Sequence, residues 1–396
     1  MPSRDQQETQ SLPWRSAPAR WGHPLHSLCS YMAMFPPSIP HVFIRWLSDE
    51  GDVVYDPFSG RGTTALEACA SGRLGMGSDL NPMANVLTSA KTNPPTWDSL
   101  LDRIQALRRS IQVLSTDGEP EAIRGIFAPG TLGQLLWLRR VLDRRSPEDV
   151  FILATLMGIL HLNADSGGVA KGLSVPMPNT FAMAPNYVLN YVRDHSLVAP
   201  EVDVLELLTE RTRRYQDHLT LARSGRAWTQ DACQRGDMEH RGVKAKLVFS
   251  SPPYLHVMKY GKFNWIRLWL LGEQPGEVDE TLFASSSLPK YLGFMSSVIE
   301  RLANTTQEDG HICLVIGDVA DKTRNIRLAE HVAECCVPAS MEVSTIIADD
   351  LPADRKVSRI WGETRGRATK TDRILILSAR GAGGLPPTPQ IDWTTA

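Results

Sequence analysis

The sequence predicts an α/β protein whose sheet is mixed but mainly parallel, interrupted by a mostly helical insertion. Three observations predict it. Short apolar runs end in a polar residue, as buried parallel strands do. A glycine-rich loop joins the first of these runs to a helix. The block 96–227 is rich in Leu and Arg at helical spacing and separates two stretches of strand–helix alternation.

Residues 1–20 are polar, with few large aliphatics, and predict a flexible arm. After Pro36-Pro37, the run 39–47 (IPHVFIRWL) reads as a short helix. Residues 52–56 (DVVYD) read as a buried strand, 57–62 as a loop and 63–71 as a helix. A second strand over 74–78 is closed by Asp79, and Pro82 opens a helix to about Lys91. In the insertion, 100–114, 131–142, 150–162 and 202–221 show helical spacing, with a polar Gly/Pro-rich loop at 163–185. Strands then read at 246–250, 311–316, 343–348 and 373–377, and helices at 263–271 and 325–335. The tail 381–396 is Pro/Thr-rich and predicts a frayed end.

Composition narrows the function. The chain has 396 residues, 42 Lys+Arg against 44 Asp+Glu and a net charge of −2, which excludes a histone-like cationic coat. A nucleic-acid surface must then be a local patch. The six cysteines show no zinc-ligand spacing and read as reduced thiols, with no metal predicted. The polar N-terminus has no apolar core of a secretory signal. The longest apolar stretch, Val150 to Leu160, is too short to span a bilayer. The expectation is a cytoplasmic protein without membrane contact.

Two motifs carry chemistry. In Asp56-Pro-Phe-Ser-Gly60-Arg-Gly62-Thr-Thr, the glycines admit a ligand close to the backbone, and the following helix presents free N–H groups. Asp79, 23 residues after Asp56, ends the next strand, where an acid accepts hydrogen bonds from ribose hydroxyls. The bland alternative is a tight βα turn without a ligand. The second motif, Ser251-Pro252-Pro253-Tyr254, follows the strand 246–250. Two prolines stiffen the turn and lack N–H groups, so a fixed carbonyl and the Ser251 hydroxyl can accept both hydrogens of a planar amino group. Tyr254 offers a face on which a base stacks. In isolation this segment reads as a simple Pro-Pro turn after a strand; after a cofactor loop at the top of the same sheet it does not.

Together, DPFSGRGTT and SPPY resemble the S-adenosylmethionine-dependent DNA methyltransferases that act on cytosine N4 or adenine N6. The resemblance covers residues 23–91 and 231–378. It implies a Rossmann-like class I methyltransferase fold, with residues 21–95 and 228–380 as the catalytic domain and 96–227 as a candidate target-recognition region. It implies S-adenosylmethionine as cofactor. Phe58, Gly60, Gly62 and Thr63 would line the cofactor, Asp56 would sit by its amino group, Asp79 would hold the ribose and Asp237 would contact the adenine. Tyr31, with His26 and Phe35, would close over it. Ser251, Pro252, Pro253 and Tyr254 would hold the target base. The SPPY form is associated with cytosine N4, and D/NPPY more with adenine N6. The cofactor motif precedes SPPY, which excludes the permuted order. Double-stranded DNA with a flipped base is the implied partner, and a cognate restriction endonuclease a candidate one.

Three basic segments are candidates for DNA contact. The run 355–370, with Arg355, Lys356, Arg359, Arg365 and Arg367, reads equally as a phosphate-contacting hairpin and a solvated loop. Lys259, Tyr260, Asn264 and Arg267 follow SPPY closely. Arg139, Arg140, Arg144 and Arg145 in the insertion read as a solvated helix face. An RNA amino-methyltransferase is the competing substrate class. An NAD-dependent oxidoreductase would explain Gly60, Gly62 and Asp79 but not SPPY. A non-enzymatic DNA-binding protein would leave both motifs idle.

Overall fold

The computed structural model describes residues 12–32, 35–162, 171–177, 183–255, 259–320, 325–350 and 371–394. In chain order the N-terminal part runs α1 (Ser38–Leu47), β1 (Val53–Asp56), α2 (Thr63–Ala70), β2 (Leu74–Asp79) and α3 (Pro82–Thr92). Helices α4 (Trp97–Ser110), α5 (Glu121–Arg124), α6 (Pro129–Val141), α7 (Pro147–Ile159), α8 (Pro185–Asp194) and α9 (Val204–Arg213) follow. The alternation resumes with β3 (Arg226–Thr229), α10 (Asp237–Arg241) and β4 (Ala245–Ser250). Then come α11 (Tyr260–Phe263), α12 (Trp265–Leu271), α13 (Pro275–Thr281) and α14 (Leu288–Thr305). The chain closes with β5 (Thr306–Gly317), β6 (Val319–Ala320), β7 (Asn325–Ile326), α15 (Leu328–Cys335), β8 (Met341–Asp350) and β9 (Thr371–Ala379).

Seven strands form one sheet in the order β3-β2-β1-β4-β5-β9-β8. The first four neighbour pairs are parallel, and β9 runs antiparallel to both β5 and β8. The order reverses at β1, where the chain leaves toward β2 and returns through β4. A crevice opens at such a switch point, beyond the carboxyl ends of the strands. This strand order is that of a Rossmann-like class I methyltransferase fold, the class expected from sequence.

Burial alternates along the strands, so each face has its own core. Val54, Leu247, Phe249, Cys313, Val315 and Ile376 pack under α1. Tyr55, Val248, Ile312, Leu314 and Leu377 face α14 and α15. The helical block makes a third core, in which Val150–Met157 of α7 is buried all round. Packing of α7 against α3 joins this block to the β1–β2 half of the sheet.

Several expectations change. Residues 12–16 are docked: the indole of Trp14 is buried and donates to Asp349 at 2.7 Å, and Arg15 pairs with the same carboxylate. The tail is docked as well, with Trp393 edge-on to Trp21 at 4.7 Å and donating to Ser16. Each ring needs a surface to cover, and the other end of the chain supplies it. The strand β3 begins at Arg226, before the expected boundary, and α15 begins at Leu328, after a two-residue strand. The 18-residue helix α14 lies outside the expected elements, although Tyr291, Met295, Val298, Ile299 and Leu302 bury one helical stripe. Among the described residues no helix is long and apolar enough to cross a membrane.

Candidate active site

Four strand ends converge on one cleft of about 430 Å³. Asp56 ends β1, Asp79 ends β2, Gln230 and Asp231 follow β3, and Ser251 follows β4; all line it. The cleft forms there because parallel strands deliver every carboxyl end to the same edge of the sheet.

The loop after β1 is shaped by its glycines. Gly60 and Gly62 have φ of 50° and 77°, in the left-handed region. A Cβ on Gly62 would lie 2.9 Å from the Thr88 backbone, so α3 crosses too closely for any side chain. Gly62 caps α2, whose first turn points into the cleft. Asp79 clamps the loop to β2: one carboxylate oxygen accepts from Gly60 N and the other from Asn81 N, both at 2.9 Å. Asp56 accepts from Phe58 N at 3.1 Å and from the Ser250 hydroxyl at 2.5 Å. That second bond ties the cofactor loop to the strand carrying SPPY.

Burial pushes both carboxyls up, Asp56 to about 7 and Asp79 to about 6, against the hydrogen bonds that favour their ionised forms. Each is a buried acid that forms no ion pair with the described residues. A cationic ligand would supply the missing charge.

The N-terminal segment closes one side. Tyr31 receives a hydrogen bond from Asn81 Nδ2 at 3.0 Å and stacks on Tyr260, ring centroids 6.0 Å apart. A buried carboxylate pins the segment. Glu67 of α2 is bonded by His26 Nε2 at 2.6 Å and His41 Nδ1 at 3.1 Å, and Arg61 donates to the His26 carbonyl. Burial alone would raise Glu67, but the two histidine hydrogen bonds hold it down to about 2. Its stabilising contribution is therefore complete above its ordinary pKa of 4.5 and is lost as pH falls through about 2. Glu67→Ala is expected to cost roughly 3 kcal/mol, two buried charge-assisted hydrogen bonds. It should also flatten acid unfolding between pH 4.5 and 2, measured by urea titration across that range. An unchanged acid limb would remove Glu67 from this role.

The second motif meets the first in the same cleft. Ser251, Pro252, Pro253 and Tyr254 line it opposite the glycine loop. The Ser251 hydroxyl lies 3.2 Å from both the Val315 carbonyl and the Tyr254 hydroxyl. With Ser251 donating to Val315, Tyr254 donates to Ser251, and a serine lone pair remains to accept. Burial pushes Tyr254 up to about 12, so it stays a neutral phenol.

Of the residues expected at the cofactor, Tyr31, Asp56, Phe58, Gly60, Thr63 and Asp79 line the cleft, and Gly62 shapes it. Asp237 does not line it. It opens α10 and pairs with Arg241 at 2.8 Å. Asp231 occupies the place at the end of β3. An unrecognised strand hid it, because the partly exposed four-residue strand Arg226–Thr229 lacks the apolar run of a buried one. Also missed were Asn81, which caps α3, and Phe283 and Phe294, which stack at 4.0 Å in the cleft wall. No short motif marks those two.

The expected DNA contacts change more. Asn264 is buried and holds Arg267, which is buried too and bonds the Met157 carbonyl and Ser30. A buried guanidinium needs such partners, so both serve packing. Tyr260 lies in the cofactor cleft, and Lys259 beside it is exposed. Arg355, Lys356, Arg359, Arg365 and Arg367 lie outside the described residues. No group of metal-ligating side chains occurs among the described residues.

The strand order, the left-handed glycine loop and the acid at the end of β2 define a class I methyltransferase scaffold, and the cleft fits S-adenosylmethionine. Its two buried carboxyls, Asp56 and Asp79, suit a cationic ligand. Residues 6–86 match a family of DNA methylases that modify N6 or N4 amino groups. Over 93 residues the chain is 33% identical to the type II methyltransferase M.MvaI of Kocuria varians, a stretch that is 23% of this chain and a fifth of that protein's length. The resemblance to DNA amino-methyltransferases is thus borne out, with the family match spanning DPFSGRGTT and ending before SPPY. The fold is loosely similar to TrmN from Thermus thermophilus, at 9% identity and a TM-score of 0.34 over 90% of this chain and 52% of that one. It is also loosely similar to the rRNA methyltransferase aviRa from Streptomyces viridochromogenes, at 13% identity and a TM-score of 0.34 over 90% of both chains.

Proposed function

We propose that the protein methylates the exocyclic N4 of cytosine in double-stranded DNA, using S-adenosylmethionine. The observation that carries this reading is the seating of Ser251-Pro-Pro-Tyr254 in the cleft that also holds Asp56, Gly60 and Asp79.

The cofactor supplies an electrophilic methyl group on a sulfonium. The protein's part is to hold and orient the amine. Asp79 and Asp56 face the cationic cofactor, and Tyr31 and Tyr260 wall it. Ser251 Oγ accepts one N–H of the target amine, while the Tyr254 ring stacks on the base. Held so, the amine would have its lone pair free to take a methyl group from a cofactor seated at Asp56, Gly60 and Asp79. When bound, S-adenosylmethionine would supply the methyl group and keep the C–S bond pair on sulfur, and the amine held by Ser251 would give up one proton to water. A duplex base must leave the stack to arrive here, at roughly a few kcal/mol. The Ser251 form of the turn favours cytosine N4. The basic run 355–370 stays a candidate for phosphate contact, and a restriction endonuclease a candidate partner.

The test is to incubate the purified protein with unmodified DNA and labelled S-adenosylmethionine, then digest to nucleosides for mass spectrometry. N4-methylcytosine is the expected product. N6-methyladenine would move the target base and keep the mechanism. Label in RNA and none in DNA would overturn the substrate class.

A further inference from the structure

A second opening adjoins the cleft on the β3 side. It is an open groove of about 1060 Å³, continuous with the cleft through Leu80, Gln230, Asp231 and Thr281, which line both. Five arginines line it from separate elements: Arg144 and Arg145 between α6 and α7, Arg226 on β3, and Arg235 and Arg241 around α10. Two carboxylates line it as well. Asp237 is paired with Arg241, and Asp231 accepts from Cys233 N at 2.9 Å. Counting Glu273 and Asp143, which pair with Arg144 and Arg145, five guanidinium groups face four carboxylates, and the positive charge left over sits on Arg226 and Arg235.

The arginines divide by commitment. Arg144 is tied to Glu273 at 2.8 Å and to the Leu271 carbonyl. Arg145 folds back on Asp143. Arg226 and Arg235 are exposed, and their side chains make no hydrogen bond or ion pair to the described residues. Two uncommitted guanidiniums on an open channel, beside three that already hold partners, suit a polyanion. A small anion would need a closed cradle.

We propose that this groove is a track for the phosphate backbone of the bound DNA, with Arg226 and Arg235 as direct phosphate contacts. The proposal rests on the DNA reading above and extends it to a surface on the far side of the cofactor cleft from SPPY. It departs from the expectation that Arg144 and Arg145 line a plain solvated helix face.

The test is the salt dependence of duplex binding, followed by fluorescence anisotropy for wild type and the double variant Arg226→Ser/Arg235→Ser. Removing one phosphate-bound arginine should reduce the magnitude of the slope of log affinity against log salt by about 0.9, so removing both should reduce it by about 1.8. Binding should weaken for every duplex sequence alike, and S-adenosylmethionine affinity should stay at the wild-type value. Arg226→Lys/Arg235→Lys keeps the charges and should keep the slope; it also serves if the serine variant proves unstable. An unchanged slope in a folded serine variant overturns the groove, while DNA methylation by the same protein would still stand. A slope change on single-stranded RNA and none on duplex DNA overturns both the DNA track and the DNA substrate. Wild-type protein that binds no duplex at all does the same.

Discussion

Asp79→Ala is expected to abolish measurable S-adenosylmethionine binding, with a loss of at least about 100-fold in affinity. The carboxylate does two things at once. It accepts from Gly60 N and Asn81 N at 2.9 Å, which fixes the glycine loop and the start of α3. It keeps lone pairs free for ribose hydroxyls. Charge-assisted hydrogen bonds are worth roughly 1.5–3 kcal/mol each, so losing two exceeds a hundredfold. Isothermal titration calorimetry reads this directly. The wild type should show its own pH signature. Asp56 and Asp79 are raised to about 7 and 6, so each takes up a proton as pH falls through those values. A cation binds the ionised forms, so affinity should fall below pH 7 and keep falling through 6. Asp79→Asn should retain part of the loop geometry and lose the limb near pH 6. Wild-type affinity in Asp79→Ala would sink the cofactor assignment.

The second large effect is on transfer. Tyr254→Ala is expected to lower kcat/KM for DNA about 100-fold, with S-adenosylmethionine affinity changed less than about twofold. Stacking on an aromatic ring is worth roughly 1–3 kcal/mol per base, and the hydrogen bond to Ser251 goes with it. Tyr254→Phe keeps the ring and should recover most of the loss. Ser251→Ala should lower kcat by about 10- to 100-fold, since it removes one acceptor for the attacking amine. Single-turnover kinetics with saturating cofactor separates these from binding. A fully active Tyr254→Ala would leave the Pro-Pro turn a structural feature, the bland alternative.

How much of this is legible in sequence depends on the kind of signal. The strand ends at Asp56, Asp79 and Ser250 are legible, because a buried parallel strand is an apolar run with a polar stop. The turn chemistry at Gly60, Gly62 and Pro252-Pro253 is equally legible, because it is set by the residue's own backbone freedom. Helix α14 carries a readable stripe from Tyr291 to Leu302, yet it falls outside the expected helices. Strand β3 has no such signal: its residues are half exposed at the edge of the sheet, and it exists because β2 offers a partner. That one strand decides which acid, Asp231 or Asp237, reaches the cleft.

The sequence by itself determined most of the strand–helix order, the glycine loop and the Pro-Pro turn, all of which are local in the chain. Tertiary structure alone decided what those pieces meet. The Ser250 hydroxyl finds Asp56 across 194 residues, and Tyr31 finds Tyr260. Asn264 and Arg267, polar and expected at the surface, satisfy one another in the core. Arg226 and Arg235 come into one groove with Arg144 and Arg145. The physical reason is range. Backbone preference and hydrophobic period act over a few residues, whereas burial, charge and hydrogen-bond partnership are set by neighbours that only the closed sheet brings together.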